Sequence, residues 1–198
     1  SDQAWMGKAL LEAQAYVGGG DYLERAATLL QIMRARLYDP DAGGFYDIPY
    51  DPAALGRLQD RHKLLEENAV AADLALRLGR LTGSDDYHEV AVGTLEAMAP
   101  LYGPYRHHAA AYALAVHRFV YAPLHLIVIG DPGAELSQML RRSALSIYDP
   151  NRLVESLDPT RAQPRLAQLG LPAEPSPALY VRRGEYTSPP IQEPAQVR

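Results

Sequence analysis

The sequence predicts a mainly α-helical protein that begins with helical hairpins and ends in a small α/β appendage. The first observation is an internal repeat, because adding 65 to each position of the first hairpin aligns it with a second hairpin without a gap. The matching pairs include Leu11 and Leu76, Gly18 and Gly83, Tyr22 and Tyr87, Leu30 and Leu95, and Met33 and Met98. Repeated units of this kind stack to bury an apolar face that none could bury alone.

The second observation is a change of pattern at Pro123, where helical spacing gives way to the short apolar run 125–129. A run of this length between proline and glycine is typical of a buried strand. The third is size, since 198 residues with 47% hydrophobic content can bury a substantial core. We therefore expect helical hairpins over residues 1–122, and a β-α-β appendage with an extended tail over residues 123–198.

The first hairpin consists of a helix over residues 2–17, a turn of three glycines, and a helix that follows Asp21. Apolar residues recur every three or four positions in the second of these helices, which indicates one buried stripe. Asp21 with Glu24 has the spacing of a capping box, and Asp86 with Glu89 reproduces it in the second copy. The repeat therefore includes the helix starts as well as the core.

A long loop is predicted over residues 38–62, because aspartate, proline and glycine recur there, with a short extended piece at 45–48. Loops of this length in compact domains are often functional. Helices follow over residues 63–81, from 84 or 86 to about 99, and over 105–121. Beyond Pro123 we expect a strand at 125–129, a helix at 134–145, a strand at 152–156, a short helix at 161–169 and a strand at 178–182.

Composition excludes several kinds of function. The net charge of −5 provides no basic face for nucleic acid. The chain has no cysteine, which excludes disulfides and cysteine metal sites. No apolar run approaches the roughly 20 residues that cross a bilayer, and no signal peptide opens the chain, so a cytoplasmic protein without membrane association is expected. Because it starts at Ser1, without methionine, we expect it to belong to a longer protein.

Four segments together resemble one known family: GGFYD, LGRLTGSDDYHEVA, HLIVIGDPG and ALYVRRGEYTSPP. They are similar to the C-terminal part of proteins that join a thioredoxin-like domain to an (α/α) toroid of the six-hairpin glycosidase type, related in fold to N-acylglucosamine 2-epimerase. The resemblance implies a partial (α/α) toroid and a role in carbohydrate metabolism. It also implies that the family's two tail cysteines are replaced here by Arg182 and Ser188, which excludes a redox role for the tail.

The candidate catalytic residues are Glu66 and His62, at the start of the third helix. A carboxylate there suits general acid–base work on a sugar, although acidic residues in a first helical turn also simply favour the helix dipole. Glycoside hydrolysis needs a second carboxylate, for which Asp47 and Asp60 are the candidates. His62 suits proton transfer, and the alternative for it is an ordinary surface or capping role.

The candidate sugar-binding residues are Tyr46, Asn68 and Tyr105. Tyrosine rings in loops at helix ends can stack on sugars, but they can equally anchor the loops. No metal site or cofactor is expected. The adjacent His107 and His108 would diverge by about 100° on an α-helix, too far to chelate one ion.

Two functional hypotheses remain open. The first is a carbohydrate-related domain, glycosidase-like or epimerase-like, with a sugar ligand and a site between Gly43 and Asn68. The second is a non-catalytic scaffold or interaction module, which would use the apolar faces of its end hairpins for self-association or for docking to other domains of a longer chain.

Overall fold

The computed structural model describes residues 2–18 and 20–197. It contains two compact units, one made of the residues up to Leu11 with Leu23–Val120, and the other of Glu12–Tyr22 with the residues from Tyr121 onward. The helices are α1 (Asp2–Val17), α2 (Tyr22–Leu37), α3 (Leu65–Thr82), α4 (Asp85–Met98), α5 (Ala110–Val120), α6 (Glu135–Ser146) and α7 (Gln163–Leu169). The strands are β1 (Leu124–Ile129), β2 (Arg152–Leu157), β3 (Ala178–Arg183) and β4 (Tyr186–Thr187).

The mainly helical fold with a small mixed sheet agrees with the predicted class. The (α/α) toroid arrangement remains an expectation from the resemblance. The predicted division after residue 122 into separate domains likewise remains a prediction.

The two copies of the predicted repeat share a turn glycine and a buried methionine. Helices α1 and α3 end at equivalent glycines, Gly18 and Gly83, whose φ angles of 67° and 73° lie in the left-handed region. Only glycine adopts this conformation at little cost, so the turn requires the same residue twice. The pair Met33 and Met98 is buried in both copies. The repeat therefore fixes turns and core positions together.

Helix α3 lies at the centre of the first unit. Its apolar residues are buried around nearly the whole circumference, and α4 and α5 pack against it. Gly7 of α1 approaches α3 so closely that a Cβ atom there would lie 2.5 Å from Leu74 Cδ2. Asp73 of α3 is buried and pairs with Arg118 of α5 at 2.9 Å and Lys8 of α1 at 3.5 Å. One carboxylate thus links three helices.

Two local predictions in this unit are wrong, the second capping box and the start of the fifth helix. The proposed capping box of Asp86 and Glu89 does not form, because the N-cap is Ser84, two residues before Asp86, and it makes no side-chain hydrogen bond. The short extended piece predicted at 45–48 contributes an isolated bridge between Phe45 and Tyr38. The fifth helix begins at Ala110, because residues Gly103–Ala109 form 3-10 turns interrupted at Arg106.

The second unit contains a four-stranded sheet in the order β2-β1-β3-β4. Strands β1 and β2 are parallel and are connected through α6, which confirms the predicted β-α-β unit. Strand β3 returns antiparallel to β1, and β4 pairs with β3. In the tail, which the sequence predicts to be extended, Ile191 forms a bridge with Leu179 and a 3-10 turn follows at Pro194–Gln196.

The two sheet faces have separate cores because strand side chains alternate. Leu126, Val128 and Leu179 pack with residues of α6 on one face. Ile127, Ile129 and Tyr180 pack with Leu166 of α7 on the other. The sheet is therefore covered on both sides, which explains why residues 126–129 of β1 are all apolar.

Candidate functional site

The long loop between α2 and α3 is closed at its neck by a pair of hydrogen bonds. The backbone N–H of Asp47 donates to the carbonyl of His62 at 2.9 Å, and the N–H of His62 donates to Asp47 Oδ1 at 2.9 Å. Asp47 Oδ1 also accepts the N–H of Ile48. Residues 47–62 therefore form a compact surface loop whose two ends meet.

Asn68 attaches the turn that precedes this loop, Gly43-Gly44-Phe45, to helix α3. Its Oδ1 accepts the N–H of Phe45 at 2.6 Å, and its Nδ2 donates to the carbonyls of Phe45 and Leu64, both at 2.9 Å. The side chain is fully buried. Its hydrogen-bonding groups are occupied by the backbone, which makes Asn68 a structural anchor for the Gly43-Gly44-Phe45 turn.

Asp39 holds the other end of the turn. Its Oδ1 accepts the N–H groups of Asp41 and Ala42, while its Oδ2 accepts Lys63 Nζ at 2.7 Å and the Tyr46 hydroxyl at 3.0 Å. The hydrogen bond from Lys63, with those from the backbone, holds the pKa of Asp39 well below its ordinary value. The carboxylate therefore stays charged and fixes both Lys63 and Tyr46.

Tyr46 is packed against two cations. The guanidinium carbon of Arg61 lies 3.8 Å from the centre of the Tyr46 ring, and Lys63 Nζ lies 4.9 Å from it. These are cation–π distances. The Tyr46 hydroxyl donates to Asp39, and Arg61 covers the Tyr46 ring. Tyr46 therefore supports the guanidinium of Arg61.

Two cavities lie against residues 47–62 of this loop. One, of about 330 Å³, is lined by Asp2, Gln3, Arg36, Leu37, Asp47 and Pro49. The other, of about 300 Å³, is lined by Pro49, Tyr50, Asp51, Pro52, Leu58, Gln59 and Arg61. Each is at the small end of the range for ligand sites, and each combines carboxylate, amide and guanidinium groups.

The predicted catalytic residues do not line these cavities. Glu66 is exposed in the first turn of α3, and His62 is exposed at the loop neck, where its backbone makes the neck contacts. Tyr105 is exposed in the 3-10 segment before α5 and also lines neither cavity. The roles predicted for these three residues, and for Tyr46 and Asn68, remain predictions.

Sequence reasoning missed Asp39, Lys63 and Arg61. The order Asp39-Pro40-Asp41 could have indicated Asp39, since an aspartate before proline commonly caps a turn through its side chain. No sequence pattern around these residues indicates that Lys63 Nζ donates to the carbonyl of Gly43 at 2.6 Å, or that Arg61 stacks on Tyr46. Those contacts depend on how the loop closes.

The expected divergence of His107 and His108 is wrong. Their ring centres lie 3.9 Å apart, because the two residues belong to a 3-10 segment instead of an α-helix. Among residues 2–18 and 20–197, no group of three or more histidine, cysteine, aspartate or glutamate side chains could hold a metal ion.

A second buried charge cluster lies in the other unit. Glu155 of β2 is 2.9 Å from His125 Nε2 on β1 and accepts Arg165 Nε of α7 at 2.8 Å. Burial raises the pKa of Glu155, but the hydrogen bonds from His125 and Arg165 outweigh this effect, so the pKa is lowered. The hydrogen bonds from Arg165 to Glu155 attach α7 to strand β2 of the sheet. The arrangement is that of a structural ion pair.

No family model matches the chain. Over 210 residues the chain is 27% identical to spermatogenesis-associated protein 20 of Rattus norvegicus, and the match covers 100% of this chain and 26% of the rat protein. This is a distant similarity. The chain spans about a quarter of the length of the curated relative, whose name states no activity.

None of the helices formed by residues 2–18 and 20–197 combines the length and the apolar composition needed to cross a bilayer.

Proposed function

We propose that this chain is a carbohydrate-binding part of a larger helical protein, with its ligand site on the loop between α2 and α3. The observation that carries the proposal is a rigidly anchored loop with a polar cavity. Asp39 and Asn68 fix its base through side-chain hydrogen bonds, and the cavity at Tyr50 presents Asp51, Gln59 and Arg61. Planar polar groups beside an aromatic ring match the hydroxyls and the apolar face of a sugar.

Within this proposal, Glu66 and His62 are the candidates for proton transfer. Both side chains are exposed, and His62 belongs to the loop neck. Glycosidase-like chemistry would pair Glu66 with Asp47 or Asp60, and epimerase-like chemistry would use His62 as the base. Binding is the first property to test, because turnover depends on it.

The test is calorimetric titration of the full chain with a panel of neutral and acidic mono- and disaccharides. We expect saturable binding of at least one sugar, and about a tenfold loss of affinity in Tyr50→Ala, because a stacked ring contributes about 1 kcal/mol or more. Tyr148→Ala is the matched control, since Tyr148 is also exposed but lies in the other unit. Absence of binding across the panel, or equal loss in both variants, would contradict the proposal.

A second proposal, a scaffold or interaction role, is supported by an exposed apolar strip on α1. Trp5, Met6 and Ala9 are exposed, although the equivalent residues of α3 are buried. The contrast is large, with 46% exposure at Trp5 against 2% at Val70, and 56% at Met6 against 0% at Ala71. In this proposal a second copy of the chain, which carries hairpins of the same kind, covers the strip.

A further inference from the structure

Arg61 is held in one orientation by two contacts that leave part of its guanidinium unused. Its Nε donates to the carbonyl of Ile48 at 3.1 Å, and its guanidinium carbon lies 3.8 Å above the Tyr46 ring. Tyr46 is itself fixed by its hydroxyl bond to Asp39. The position of Arg61 is therefore set before any ligand arrives, which reduces the entropy lost on binding.

The two terminal nitrogens of Arg61 make no hydrogen bond or ion pair within the described part of the chain. The side chain lines the cavity of about 300 Å³ together with Tyr50, Asp51 and Gln59. A guanidinium with two adjacent free N–H donors has the geometry to bind a carboxylate or phosphate in a bidentate manner. The cavity thus contains a preorganised site for an oxyanion.

The remaining polar groups of the cavity favour hydroxyls. Asp51 Oδ1 already accepts the N–H of Ala53 at 2.8 Å, and its other oxygen is an acceptor for a ligand O–H. Gln59 Nε2 donates to the carbonyl of Ala54, which leaves its Oε1 as a further acceptor. One charged donor and two acceptors therefore line the same cavity.

We infer that the loop cavity selects an acidic sugar, whose carboxylate or phosphate binds Arg61 while its hydroxyls donate to Asp51 and Gln59. This inference rests on the proposed function and adds the ligand class. A neutral sugar would leave the Arg61 donors without an anionic partner. The preference for an acidic over a neutral sugar therefore depends on the guanidinium of Arg61.

The experiment compares the full chain with its Arg61→Gln, Arg61→Lys and Arg57→Gln variants. Each is titrated with glucuronate, glucose 6-phosphate and glucose. We expect at least one of the two anionic sugars to bind at least about tenfold more tightly than glucose, because hydrogen bonds between charged groups are stronger than those between neutral groups. Arg61→Gln should remove this preference. Arg61→Lys should retain only part of it, because an ammonium lacks the bidentate fork.

Arg57→Gln is the matched control, because Arg57 is exposed on the same loop but does not line the cavity. The preference should persist in that variant, and it should weaken at high salt in the unmodified chain. Stronger binding of glucuronate or of glucose 6-phosphate identifies the oxyanion as carboxylate or phosphate. Equal affinity for glucose and both anions, or a preference that survives Arg61→Gln, overturns the inference and leaves sugar binding intact. Absence of all binding overturns both.

Discussion

At the scale of single residues, the loop depends on side chains that bond to backbone. Asn68 satisfies the N–H and the carbonyl of Phe45, and Asp39 satisfies two N–H groups of the following turn. A buried backbone group without a partner costs free energy, so the loop needs these acceptors and donors wherever it leaves water. Asn68 was expected to bind a sugar, and its bonds in the structure favour a structural role.

We therefore predict that Asn68→Ala lowers the free energy of unfolding by about 2–3 kcal/mol, because it leaves the buried N–H of Phe45 without an acceptor. Chemical denaturation measures the change. Gln192→Ala, at an exposed position in the tail, is the control and should change stability by less than about 0.5 kcal/mol. A similar small effect at both positions would show that Asn68 does not anchor the loop.

At the scale of elements, the glycines of the loop allow it to approach helix α4. Gly43 has a φ of 68°, and a Cβ atom there would lie 2.2 Å from the carbonyl oxygen of Gly93. Glycine is therefore required at Gly43 both for its conformation and for the contact. Gly56 also has a positive φ, of 58°, but has no neighbour within 4 Å of such an atom.

These two glycines give a matched pair of variants. We predict that Gly43→Ala destabilises the chain by at least about 3 kcal/mol, because the methyl group meets backbone that cannot move aside. Gly56→Ala should cost only about 1–2 kcal/mol, the cost of a left-handed alanine. Thermal and denaturant unfolding of both variants provides the comparison. Equal destabilisation would mean that the contact with Gly93 is unimportant.

At the scale of the whole molecule, the repeat explains which apolar residues remain exposed. Helix α3 has neighbours on both sides in its unit, whereas its counterpart α1 has the exposed strip at Trp5, Met6 and Ala9. Exposed apolar patches commonly mark interaction surfaces. The rat protein is about four times as long as this chain, so most of its sequence lies outside the matched region.

We predict that the chain self-associates through this strip. Trp5 is the only tryptophan in the sequence, so its fluorescence emission should shift to shorter wavelength with rising concentration, in step with the mass measured by light scattering. Met6→Glu should abolish both changes. Met139→Glu, at an exposed methionine of the other unit, should leave them intact. A monomeric mass with unshifted emission at every concentration would contradict the prediction.

The sequence by itself determined the helices, the 65-residue repeat and the β-α-β unit, because these depend on local periodicity, on turn glycines and on prolines. It located the region of interest, since the long loop between α2 and α3 could be predicted from its aspartates, prolines and glycines. Tertiary structure alone decided which loop residues are anchors and which face the cavity. Asn68 was a candidate from its place in the sequence, but its partner Phe45 is 23 residues away. The stacking of Arg61 on Tyr46 similarly joins residues 15 positions apart. Such contacts form only when the loop closes on itself, and no local pattern encodes them.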